Sequence, residues 1–90
     1  VQAFIRDWEG VEFQPNEIQI ASGGRPLIFS LFQTLVDKGD KIIYGVPSWN
    51  NNHYVHMTSG EHCVIECKPE NDFMPTVEEI HPHLKGATLL

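Results

Sequence analysis

Two stretches of the chain pair residue types with spacings that suit ligand chemistry. The first is Ser22-Gly23-Gly24-Arg25-Pro26, which follows Ile18-Gln19-Ile20-Ala21 and leads into a helical pattern. Glycines let a backbone approach an anion, and a helix N-terminus presents amides without intrahelical acceptors at the positive end of its dipole. A phosphate fits such a turn; so does a plain, tight strand-to-helix connection, and the residues leave both readings open. Neither Gly-Lys-Ser/Thr nor Gly-x-Gly-x-x-Gly occurs here, which argues against nucleoside triphosphates and NAD. Arg25 could bring its guanidinium to a phosphate, although first-turn arginines commonly face solvent. The second stretch ends at Trp49, just past an apolar run. If the strands are parallel, Trp49 shares a sheet edge with Gly23-Gly24, the edge where ligands collect in open α/β sheets. It would either stack on a planar ligand or plug a gap in the packing.

Other polar groups carry less. His53, His56, His62, Cys63 and Cys67 raise the question of a metal. Cysteines at i and i+4 of a strand share a face but stand about 13 Å apart, too far for one tetrahedral ion without a bend. They read as small core residues. His81 and His83 flank Pro82 in a polar stretch, and the carboxylates are dispersed, with no pair placed for hydrolysis.

The elements that must position these residues alternate in type. Val1 to Trp8 reads as the end of a helix closing near Gly10, and Pro15-Asn16 as a turn. Ile18–Ala21 alternates like a first strand. Leu27, Ile28, Leu31, Phe32, Leu35 and Val36 draw one stripe on a helix, with Pro26 in its first turn and Gly39 as its C-terminal cap. Lys41 to Val46 is an apolar run expected of a strand covered on both faces. Trp49 to Ser59 follows as a helix, Cys63 to Cys67 as a strand and Lys68 to Pro75 as a loop. Thr76-Val77-Glu78-Glu79 is a capping box opening a helix that ends near Gly86, with Pro82 uneasy in its middle. Ala87-Thr88-Leu89-Leu90 reads as the start of a fourth strand. The expectation is an α/β fold, a parallel sheet with helical crossovers, cut from a longer chain.

Composition narrows the partners. Of the 90 residues 41% are apolar and 20% charged, a globular balance large enough for one small domain. Six Lys and Arg against twelve Asp and Glu give a net charge of −6, which disfavours nucleic acid and anionic membrane surfaces. No apolar run reaches the roughly 18 residues of a membrane span. Two cysteines are too few for a disulfide scaffold and suit a reducing, cytoplasmic compartment.

The order of motifs carries a resemblance. Ile-Gln-Ile-Ala-Ser-Gly-Gly-Arg-Pro-Leu-Ile-Phe at 18–29, Asp-Lys-Gly-Asp-Lys-Ile-Ile at 37–43 and Val-Pro-Ser-Trp at 46–49 resemble fold-type-I aminotransferases of the aspartate aminotransferase kind, over nearly the whole chain. The resemblance implies residues 1–90 as an N-terminal portion of a large, three-layer cofactor-binding domain, with pyridoxal 5′-phosphate (PLP) as cofactor. It implies amino-acid and 2-oxo-acid substrates and a homodimer. Gly24 and Arg25 would give backbone amides to the PLP phosphate, and Trp49 would stack on its ring.

There are departures. Pro26 stands where the family commonly has an amide donor, and Asn52 where many relatives have a histidine supporting the acidic residue at the ring nitrogen. The family's cofactor-linking lysine, that acidic residue, an Asn-Pro-x-Gly loop and a carboxylate-binding arginine would lie beyond Leu90. None of Lys38, Lys41, Lys68 or Lys85 sits in a matching motif, so the 90 residues alone are expected to be inactive. In the family the first strand lies across the sheet from the second and third, so Ile18–Ala21 is expected to lack a neighbour. The alternative is a non-catalytic α/β module that self-associates and at most binds a phosphate.

Overall fold

Lys41–Val46 (β1) is the centre of the sheet, and every layer is built on it. The computed structural model describes residues 1–90. Glu61–Glu66 (β2) pairs with β1 on one side and Ala87–Leu89 (β3) on the other, giving the order β2-β1-β3 with both pairs parallel. β1 and β2 stay in step from Lys41 opposite Glu61 to Val46 opposite Glu66. β3 is shorter and its pairing slips after Lys41. Successive β-strand side chains point to opposite faces, so Ile42 and Ile43 serve two layers at once; both are buried. That two-sided burial is why the run carries no polar alternation.

Helix Gly24–Leu35 (α2) and helix Asn51–Met57 (α3) cover the face that Ile42 supplies. Phe32, Val36, Ile42 and Val55 form the core there, with Tyr44, Tyr54 and Leu89 packed against it. The Phe32 and Tyr54 rings are tilted at 5.4 Å between centroids, a favourable offset for aromatic quadrupoles. Two glycines permit close approach. A Cβ at Gly60 would stand 2.5 Å from Ile42 Cδ1, and one at Gly45 would stand 2.6 Å from Cys67 Sγ.

Helix Gln2–Glu9 (α1) ends as expected at Gly10, whose φ of 69° places it in the left-handed region that glycine adopts at little cost. Pro15–Glu17 makes a single 3-10 turn, with Gln14 N–H donating to Glu17 Oε2 at 2.7 Å. The Thr76 box is formed: Thr76 Oγ1 accepts from Glu79 N–H at 3.3 Å, and Glu79 Oε2 accepts from Thr76 N–H at 2.9 Å. The helix it opens, Val77–Ile80 (α4), stops before Pro82, which sits in a 3-10 turn at His81–His83. Proline has no amide to continue the ladder.

Three expectations are corrected. Ile18–Ala21 is not a strand: Ile18 has extended dihedrals, but no neighbour supplies the ladder that would make it one. Gly39 does not cap α2, which ends at Leu35 with Val36 as its C-cap; Gly39, at φ 86°, turns the Asp37–Asp40 loop instead. β2 begins at Glu61 rather than Cys63, because pairing with Lys41 sets its start and apolarity does not. The stripe of α2 is buried only at Phe32 and Val36, while Ile28, Leu31 and Leu35 are exposed.

Candidate functional site

The candidate site is assembled where β1 ends. Val36, at the C-terminal end of α2, packs at Ile42 and Gly60 near the start of β1, so α2 runs back antiparallel to the strand. Twelve helical residues rise about 18 Å and six strand residues about 20 Å. The N-terminus of α2 therefore lies toward the edge from which Pro47-Ser48-Trp49 leaves the sheet. α3 starts at that same edge and returns the chain to β2. Gly24, Arg25 and Trp49 are thus brought to one end of the sheet by topology alone.

At the start of α2 the turn is shaped by Gly23, at φ 133° and ψ 156°, a conformation that side chains rarely tolerate. The amides of Gly24 and Arg25 donate to no backbone or side-chain oxygen, and Pro26 has no N–H to offer. A Cβ on Gly24 would meet nothing within 4 Å. Arg25 is exposed and in no ion pair; Arg6 with Asp7 at 3.0 Å forms the chain's salt bridge. Two free amides at the positive end of a helix dipole, beside open space and a free guanidinium, suit an oxyanion group.

Trp49 is 82% exposed. Within these 90 residues the indole fills no gap in the packing. The indole stands free at the sheet edge, held between Pro47-Ser48 and Asn50, the left-handed residue that precedes α3. Asn52 and His53 follow on the exposed side of α3.

Cys67 is buried and Cys63 half-buried, and both are free thiols. No three His, Cys, Asp or Glu side chains converge to hold a metal ion. No helix is long and apolar enough to cross a membrane. Between α2 and the sheet lies a cleft of about 230 Å³ lined almost wholly by apolar residues, among them Leu31, Phe32, Ile42 and Leu89, with Asn51 as its polar exception.

One polar pair escaped sequence reading. Tyr44 Oη and His62 Nδ1 lie 2.8 Å apart across the β1–β2 ladder, with the rings edge to face at 67°. Burial pushes the Tyr44 hydroxyl above its ordinary value of 10.0. Only the parallel register, Ile42 opposite His62 and Tyr44 opposite Val64, puts the two within reach. No local pattern could have signalled it.

Comparison with known proteins follows the same geometry. No family model matches the chain. A probable aspartate/prephenate aminotransferase of Rickettsia typhi is 32% identical over 79 residues, which are 87% of this chain and 20% of the relative. The aspartate aminotransferase of Geobacillus stearothermophilus is 30% identical over 81 residues, 89% of this chain and 20% of the relative. Among solved structures, a tetra mutant of Thermus thermophilus aspartate aminotransferase superposes at a TM-score of 0.83 with 29% identity, over 91% of this chain and 23% of that one. The Rhizobium meliloti aspartate aminotransferase, at 24% identity and a TM-score of 0.85 over 92% of this chain and 21% of that one, shares the fold. The chain spans about a fifth of the length of the curated relatives it matches.

Proposed function

Because the chain corresponds in sequence and in fold to one segment of the fold-type-I aminotransferases of the aspartate aminotransferase kind, we propose that it is the part of a PLP-dependent large domain that receives the cofactor's phosphate and ring. The observation that carries this reading is the pairing at one sheet edge of two unpartnered amides with a free indole. Gly24 and Arg25 would donate their N–H groups to the phosphate, and the glycine leaves room for it. Trp49 would lie against the pyridine ring and fix its plane, excluding water from that face. When bound, PLP supplies an electron sink for the bond broken at the substrate's Cα. The parent protein would exchange an amino group between an amino acid and a 2-oxo acid. Its cofactor-linking lysine, ring-nitrogen acid and substrate arginine would come from outside these residues, so residues 1–90 alone are inactive in this reading. The parent would be a homodimer, and a cytoplasmic setting suits two free thiols.

The test has two steps. The coding sequence past Leu90 should contain an Asn-Pro-x-Gly segment, a downstream acidic residue and a Ser-x-x-Lys-like lysine, in that order. The full-length product should then bind PLP in a form trapped by borohydride, and Trp49→Ala should weaken binding of pyridoxine 5′-phosphate about tenfold. That analogue keeps ring and phosphate but lacks the aldehyde. A stop codon after Leu90, or unchanged affinity in Trp49→Ala, overturns the proposal.

A further inference from the structure

The residue after Trp49 has a conformation that needs a reason. Asn50 lies at φ 77° and ψ −15°, in the left-handed region, while Asn51 and Asn52 are helical. It stands immediately before α3, where asparagine ordinarily caps with its side-chain oxygen, yet its side chain makes no capping bond. Its carbonyl alone serves the helix, accepting from His53 N–H at 2.9 Å and Tyr54 N–H at 3.2 Å. What distinguishes asparagine here is its tolerance of positive φ, unusual among residues with a Cβ.

Both ends of the connection are anchored. Ile42 and Ile43 hold β1 in the core, and Val55, fully buried, holds α3 with Tyr54 packed at a tilt on Phe32. Between these anchors the chain must reverse within Pro47 to Asn50, and Asn50 supplies the left-handed step. With α3 anchored, that dihedral pair sets the direction from which the Trp49 peptide meets the helix. We propose that Asn50 is a positioning residue for the cofactor: its left-handed backbone holds the Trp49 indole out at the sheet edge, ready to stack. The inference rests on the reading of Trp49 given above and goes beyond it by naming what aims the ring.

A β-branched residue at Asn50 is driven out of the left-handed region and rotates the chain behind it, whereas glycine keeps the conformation. The experiment measures pyridoxine 5′-phosphate affinity of the full-length protein, stripped of PLP, by equilibrium dialysis. Asn50→Val should weaken binding about fivefold, Asn50→Ala about twofold, and Asn50→Gly should stay near the parent. If the valine variant does not fold, the alanine and glycine variants carry the comparison. A double-mutant cycle separates aiming from general damage: in a Trp49→Ala background the same Asn50 substitutions should cost nothing further. A penalty that persists undiminished in that background, or full affinity in Asn50→Val and Asn50→Ala while Trp49→Ala binds weakly, overturns the role of Asn50 and leaves the proposed function standing. Full affinity in Trp49→Ala overturns both.

Discussion

Residues 41–67 and residues 1–35 both carry apolar side chains at regular intervals, and they reach opposite states. In the first region Ile42, Ile43 and Val55 are at most 2% exposed, and Ile65 and Cys67 are buried beside them. In the second, only Phe32 is buried, while Trp8 is 76% exposed and Phe4, Phe13 and Ile20 also face outward. Helices form in both, so local pattern is not what differs. β1, α3 and β2 close on one another through a parallel ladder and a crossover helix, and each covers the next. α1 and Ile18–Ala21 have no such partner within the chain. Secondary structure is a local property of these sequences, and burial is a property of neighbours. The candidate site sits on the seam, with Gly24 and Arg25 on the open side and Trp49 on the closed one.

The contrast can be broken most forcefully from its closed side. Ile43→Ala should destabilise the fold by about 3 kcal/mol in chemical denaturation, since it removes buried methylenes and leaves a cavity. Phe4→Ala or Trp8→Ala should change stability by less than about 0.5 kcal/mol, and equal losses in the two regions would abolish the distinction drawn above. Next, Gly60→Ala should cost about 2 kcal/mol in the same assay, because its Cβ meets Ile42 Cδ1 at 2.5 Å and Asp40 O at 3.2 Å. Gly24→Ala, with open space around it, tests the other side of the seam and should leave packing untouched. Thr76→Ala should lose about 1 kcal/mol by freeing the Glu79 amide.

A further effect is alkaline. The folded state binds the Tyr44 proton more tightly than the unfolded chain does, so this contribution is complete below pH 10.0 and is lost as pH rises through the raised folded value. Tyr44→Phe should make the loss of stability above pH 10.0 shallower, as followed by the denaturant midpoint.

The same division explains what could be read without a structure. The Gly10 terminus of α1, the Thr76 box and the two-faced run of β1 were legible because each signal lies within a few residues. Gly24, Arg25 and Trp49 were legible as candidates from their motifs and from the rule about strand edges. The structure brings them to one edge and leaves them unpartnered. Ile18–Ala21 alternates as a strand should, but alternation specifies a face and not a neighbour. The start of β2 was misplaced by two residues because Lys41 and Glu61 set it, and neither is apolar. The left-handed Asn50 was hidden among three identical residues, since only the anchoring of β1 and α3 selects which of them must turn.

The order β2-β1-β3 also separates the two strand pairs by their distance along the chain. β1, α3 and β2 occupy a continuous stretch of 41–66, so their ladder closes a short loop, whereas β3 must return from residue 87 to the opposite side of β1. Closing the nearer pair costs less chain entropy. The strand pair beneath Trp49 is therefore the one this chain closes at the lower entropic cost, and β3 the one it closes at the higher.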